Sequence, residues 1–281
     1  MRIARIEAPT GRYLARIEDD RALPIVIEAD RPFADPLRDA LTAGDDLANA
    51  SPVAGPIPLE GCRLLAPLIA PQKVLGIGLN YADHARETGA DPPPAPVAFV
   101  KTTNSIIGPE ATIRYSKDVT AQVDYEAELA AVVGRSTRNV DEAQALDHVF
   151  GYTACNDVSA RDAQFPDRQW VRGKSFDTFC PLGPWVVTGD EIGDPQALRL
   201  ACRVNGRTLQ DSTTAEMIFG VAQLVSYLSR SMTLVPGDVI ATGTPAGVGH
   251  ARNPPIWLDH DDIVEVEIER IGVLRNPIAV E

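Results

Sequence analysis

The chain has 281 residues, 44% of them hydrophobic and 23% charged, with a net charge of −13 and a pI near 4.8. That is soluble globular composition, long enough for one large core or for a large domain with a small one. The negative field opposes nucleic acid and anionic membrane as partners, and no apolar run approaches the ~18 residues that a membrane helix needs.

Residues 1–58 read as a small N-terminal α/β domain. Short strands are predicted over 1–8, 13–18 and 22–29, then a helix over 35–43 that stops near Gly44. The Pro- and Gly-rich stretch 51–58 reads as a linker. Met1 to Glu7 is charged throughout, with no secretory apolar stretch. The four cysteines, Cys62, Cys155, Cys180 and Cys202, lack C-x-x-C spacing, which leaves zinc and thioredoxin-type readings without support. Isolated thiols fit a reducing compartment, so the expected location is cytoplasmic.

Residues 59–281 read as a second, strand-rich domain, with strands over 74–78, 97–101 and 111–115. Between the first two, residues 80–89 predict a short helix with Asn80 as N-cap and Gly89 as its stop. His84 and Glu87 then share a face. A carboxylate beside an imidazole orients it and raises its basicity, as a general base requires; a surface i, i+3 pair is the alternative.

Residues 123–133 alternate with period 2. Val123, Tyr125, Ala127, Leu129, Ala131 and Val133 form one face, while Asp124, Glu126 and Glu128 begin the other. Glu126 and Glu128 therefore project side by side and repel unless a cation or protons intervene. A solvated face or a protected sheet edge is the competing reading. Asp157 ends a second apolar segment, 149–158. If the two strands are neighbours, three hard oxygen ligands converge on a divalent cation.

Lys174 precedes an aromatic, proline-bounded stretch and could face a bound anion or snorkel at the surface. Asn205-Gly206 is a strong hairpin signal. Met217, Ile218, Val221, Leu224, Val225 and Leu228 recur at helical spacing, with Thr213 or Thr214 as cap. The 242–249 loop lacks the residues of a phosphate loop, but it could set N–H groups and the Thr244 hydroxyl on a carboxylate. The last predicted strand, 263–270, carries Glu265, Glu267 and Glu269, which read as a solvated face. His148, His250 and His260 lack the pairing seen at His84. The balance is a β-rich α+β fold.

Five segments occur in an order that resembles the fumarylacetoacetate hydrolase family: Gly-Leu-Asn-Tyr-Ala-Asp-His at 78–84, Asp-Tyr-Glu-Ala-Glu-Leu at 124–129, Asn-Asp-Val-Ser-Ala-Arg-Asp at 156–162, Gly-Lys-Ser-Phe-Asp at 173–177 and Thr-Gly-Thr-Pro-Ala-Gly-Val-Gly at 242–249. The resemblance covers about residues 70–280, and residues before it look like the small extra domain of bacterial members. It implies a mixed β-sandwich roll, a homodimer, and Mg²⁺ or Mn²⁺ (Ca²⁺ also fits) held by Glu126, Glu128 and Asp157. It further implies that His84 and Glu87 activate water on a mobile lid, that Lys174 is an active-site lysine, and that Arg161, Gln164 and Thr244 line the substrate end. Asp259 to Asp262 and Arg270 depart from the family pattern, where glycine is common at position 270.

The reading is a divalent-metal-dependent hydrolase. It would cleave a C–C bond in a small 2,4-diketo acid, acylpyruvate- or fumarylacetoacetate-like, through a metal-stabilised enolate. Oxaloacetate decarboxylation or 2-hydroxy-dienoate isomerisation on the same site is the alternative. A non-enzymatic, metal-stabilised protein is a third.

Overall fold

In the computed structural model, which describes residues 1–30 and 34–281, the segment 123–133 is buried from end to end. Period-2 alternation explains how. Leu129, Ala131 and Val133 enter one apolar core, and Ala130 and Val132 enter another on the opposite face. The strand Ala127–Val133 is thus covered on both sides, and its acidic face is neither solvated nor a sheet edge.

This strand is central in a sheet whose order runs Ile57–Pro58, Arg21–Ile27, Gly11–Glu18, Arg2–Ala8, Cys180–Thr188, Val149–Asn156, Ala127–Val133, Val239–Ala241, Val74–Gly78 and Val97–Lys101. Arg63–Leu65 adds to Arg2–Ala8, and Ile106–Ile107 to Cys180–Thr188. The N-terminal strands therefore continue the sheet of the later ones: Arg2 pairs with Val187 and Ile3 with Val186. A five-stranded sheet, in the order Arg207–Thr213, Arg199–Val204, Ile263–Ile268, Gly272–Val280 and Ile113–Tyr115, supplies Leu200, Val264, Val266 and Leu274 to the first core. The helix Pro36–Ala43 supplies Leu37 and Ala40 to the second. The fold is strand-rich α+β, as the sequence indicates. Among the described residues no helix is long and apolar enough to cross a membrane.

Several elements fall where the pattern puts them. The helix over 35–43 is capped by Asp35, and its C-cap Gly44 is left-handed. Asn205 and Gly206, both at positive φ, make the hairpin turn. Glu265 and Glu267 face outward, paired with Arg203. Other elements differ. The predicted linker ends in Ile57–Pro58, which pairs with Arg21 and Ala22. The amphipathic helix begins only at Val221, after Gly220; Thr213 instead caps the single turn Thr214–Glu216. The predicted last strand stops at Ile268, and a further strand, Gly272–Val280, follows a turn through Arg270. Arg270 holds φ 66°, the left-handed region where glycine is favoured, which accounts for its oddity there.

Asn80 also differs from expectation. Tyr81, and not Asn80, stands at the N-cap of the helix Ala82–Thr88. The Asn80 amide is wholly buried and ties three distant backbone groups: it donates to Phe219 O at 3.0 Å and Thr242 O at 2.7 Å, and accepts from Phe219 N at 2.9 Å. Replacing it strands those groups without water. Asn80→Ala is expected to lower unfolding free energy by about 2–4 kcal/mol in urea denaturation; a loss below about 0.5 kcal/mol would show that the strut carries no stability.

Candidate functional site

The acidic residues meet because their strands are antiparallel neighbours. Ala127 lies opposite Asn156 and Glu128 opposite Cys155, and the Asp157 N–H donates to Glu126 O at 3.0 Å. Regular strand geometry breaks at Tyr125 and Glu126, where Asp124 pairs instead with Ser159. Oxygens of Glu126, Glu128 and Asp157 all lie within 4.8 Å of one another, and all three residues are buried.

Charge at this density has to be answered. The Lys174 ammonium lies 2.7 Å from Glu126 Oε2 and 2.7 Å from Asp157 Oδ2. Burial would raise the Glu126 carboxyl, but Lys174 and Arg161 outweigh it and hold it at about 2. Arg161 donates through Nε to Asp124 Oδ2 at 2.9 Å, and its Nη2 lies 2.7 Å from Glu126 Oε1 as an ion pair without hydrogen-bond alignment. Glu128 has no cation of its own. It accepts the Gly243 N–H at 2.9 Å, while burial and the charges of Asp157 and Glu126 push it well above the usual carboxylate range. Four carboxylates, counting Asp124, face three cations, Lys101, Arg161 and Lys174, inside the protein. An all-oxygen donor set with charge left over fits a hard divalent ion, and this triad could hold one.

The 242–249 loop ties the site together. Its N–H groups do set on carboxylates, but on the protein's own: Gly243 on Glu128, Gly247 on Glu87 at 3.0 Å to both oxygens, and Gly249 on Asp124 at 2.6 Å. The Thr244 hydroxyl is engaged, donating to Ala127 O and accepting from Gln210. At Gly249 a Cβ would collide with Ile256 O and Asp124 Oδ1, so glycine lets the backbone approach the carboxylate.

His84, on the helix Ala82–Thr88, is buried, with Nδ1 3.4 Å from Glu87 Oε2. Burial would raise Glu87, but His84 and the Gly247 N–H outweigh it and keep it ionised. His84 opens onto a cavity of about 200 Å³ that also meets Glu126, Arg161, Gln164, Lys174 and Thr244. His84, Glu126, Arg161, Gln164, Lys174 and Thr244 therefore line this cavity, Glu87 and Asp157 touch His84 and Lys174, and Glu128 lies behind, within 4.8 Å of Glu126. Arg161 and Gln164 are joined to each other at 2.9 Å.

The sequence reading missed four participants. Lys101, at the end of an edge strand, reaches Asp157 Oδ1, Val158 O and Lys174 O from full burial. Asp124 carries both Arg161 and His250. His250 lines the cavity, and its only sequence signal was its place directly after the glycine loop. Trp170 packs edge-on to Phe99 with centroids 5.4 Å apart, and together they form an apolar wall.

Residues 73–279 match the family model described as fumarylacetoacetate (FAA) hydrolase C-terminal. The chain is 48% identical over 217 residues to the protein named oxaloacetate tautomerase fahd2, mitochondrial, of Xenopus laevis, covering 76% of this chain and 68% of that one. A crystal structure titled 2-hydroxyhepta-2,4-diene-1,7-dioate isomerase from Mycobacterium marinum superposes with TM-score 0.81 at 40% identity, over 100% of this chain and 99% of that one. The fumarylacetoacetate hydrolase of Exiguobacterium antarcticum superposes with TM-score 0.88 at 38% identity, over the whole of both chains. The matched span holds the buried triad, both histidines and the glycine loop, and the chain belongs to the fumarylacetoacetate hydrolase family of enzymes.

Proposed function

We propose that this protein enolises a small 2-keto acid with Mg²⁺ or Mn²⁺ bound by Glu126, Glu128 and Asp157, interconverting keto and enol forms. The observation that supports this best is geometric: a carboxylate-oriented imidazole, His84, opens onto the same small cavity as Glu126 of the acidic cluster. The tautomerase and isomerase names of the relatives point the same way.

When bound, the metal ion supplies Lewis acidity toward the oxygens of a 2-keto acid. The chain's own groups do the rest. His84 takes a proton from the carbon beside the keto group and returns it, and Glu87 holds the ring in register. Lys174 sets a fixed positive charge where negative charge grows on the substrate oxygen as that proton leaves. Phe99 and Trp170 keep bulk water from the reacting carbon. The same imidazole favours a second reading, hydrolytic cleavage of a 2,4-diketo acid, in which His84 takes its proton from an attacking water.

Three experiments follow. In the first, metal-replete protein is given oxaloacetate or an acylpyruvate, and enol absorbance and released pyruvate are followed. Chelator-sensitive acceleration of enol–keto exchange is expected; pyruvate and a free acid from the acylpyruvate would favour hydrolysis, and no acceleration of either substrate would end both readings. In the second, His84→Ala is expected to slow turnover by about 10²–10⁴-fold with Mn²⁺ affinity nearly intact; a large loss in a metal titration would make His84 a ligand instead of a base. In the third, Glu128→Gln removes a buried, repelled charge without changing shape. Metal-free protein should gain about 1–3 kcal/mol of stability while divalent-ion affinity falls. A destabilised metal-free variant would contradict the charge argument.

A further inference from the structure

The cavity is charged at one end and apolar along one wall, and among the polar groups that the enolisation chemistry does not use is a second imidazole. His250 stands there, with its ring centroid 6.2 Å from that of His84, the planes at 85°, and 5.7 Å from that of Phe165. It is set back from Glu126 by two intervening side chains, Asp124 and Arg161.

His250 is held in place by a built arrangement. Asp124 is fully buried; it accepts the His250 backbone N–H at 3.1 Å and lies 3.2 Å from the ring Nδ1. Asp124 is ion-paired with Arg161 at 2.8 Å and takes the Gly249 and His250 backbone N–H groups, so it stands there as an acceptor. Nδ1 is therefore the nitrogen that donates to Asp124, and Nε2, the ring nitrogen left for a ligand, donates to an anion once the ring takes up a second proton with it. Of the other cations at the cavity, Lys174 is paired with Glu126 and Asp157 and serves the keto end, and Arg161 is paired with Asp124 and Glu126.

A 2-keto acid whose keto and carboxylate oxygens met an ion held by the acidic cluster would leave its other end among the rest of the lining, which includes Phe99, Phe165, Trp170 and the two histidines. An alkyl end is at home against the aromatic wall. An anionic end needs a donor there, because leaving a charge unpaired in such a place is costly. We propose that His250, fixed by Asp124, is a specificity-determining residue that receives the far end of the substrate and selects 2-keto acids ending in a second carboxylate. The assignment rests on the enolisation reading above.

Oxaloacetate and 2-oxobutanoate share four carbons and differ at that end alone. The full chain, loaded with Mg²⁺, is assayed for deuterium exchange at C3 of each by NMR, above the rate with Mg²⁺ alone. In His250→Leu the ratio of kcat/KM for oxaloacetate over 2-oxobutanoate should fall about 10-fold or more, carried by KM. His250→Gln, which keeps an N–H donor, should recover part of the ratio. An unchanged ratio in His250→Leu, whether both rates fall together or neither does, overturns the His250 assignment and leaves the enolisation reading standing. Wild-type protein that exchanges neither acid overturns both.

Discussion

Mutual repulsion among buried carboxylates is the constraint on which this site is built. Glu126, Glu128, Asp157 and Asp124 are all removed from water, and none could stay there ionised without a partner. Lys101, Lys174 and Arg161 are drawn from an edge strand and two short helices to answer them. The compensation is incomplete at Glu128, whose only close donor among the described residues is a backbone N–H. Residual negative charge of this kind converts a packing problem into cation affinity. The energy that would hold an ion is stored as the discomfort of the carboxylates in its absence.

One loop transmits that arrangement to the rest of the cavity. Gly243, Gly247 and Gly249 give N–H groups to Glu128, Glu87 and Asp124 in turn. The acidic cluster, the partner of His84 and the partner of His250 are thus fixed by seven consecutive residues. Thr242 and Thr244 anchor the same stretch to the backbone of the central strand through Leu129 O and Ala127 O. A shift of the loop would move all three carboxylates together, so His84 and the acidic cluster stay in register. The helix Ala82–Thr88 is docked from its other side by Asp83, which accepts from Ser212 Oγ at 2.6 Å.

How much of this was readable from the chain follows from the range of the interactions. The triad was legible because strand periodicity places Glu126 beside Glu128, and because Asp157 lies close behind on the adjacent strand. The His84–Glu87 pair was legible because one helical turn brings them together. Asp124 stood in plain view in the same acidic segment, but its partners, Arg161 and His250, are 37 and 126 residues away. Lys101 read as an ordinary strand residue, because nothing local shows that a strand end is buried against Asp157. Asn80 was misread for the same reason. Its side chain has an excellent local use as a cap, and a tertiary use, bridging Phe219 and Thr242, prevailed. The strand Gly272–Val280 was lost because Arg270 occupies the turn that glycine would have announced.

The relatives carry names for different reactions, hydrolysis, isomerisation and tautomerisation, on one fold. Those reactions share a step, loss of a proton or a bonded carbon beside a 2-keto group, and charge build-up on the same oxygen. On the reading proposed above, a site made of an acidic cluster, a lysine and one oriented imidazole would answer that common step. What separates the reactions is the fate of the far end of the substrate: whether water reaches it, whether a group leaves, or whether it is simply held. In this chain Phe165, Trp170 and His250 line the cavity, and on the reading proposed above they would meet that end. These residues come from the helix Arg161–Asp167, the segment behind it and the end of the glycine loop. Such segments can change side chains without disturbing the doubly covered strand that holds the charge. On that reading the division of labour is spatial: the sheet holds the acidic cluster, and the rim presents the residues that would meet the rest of the substrate.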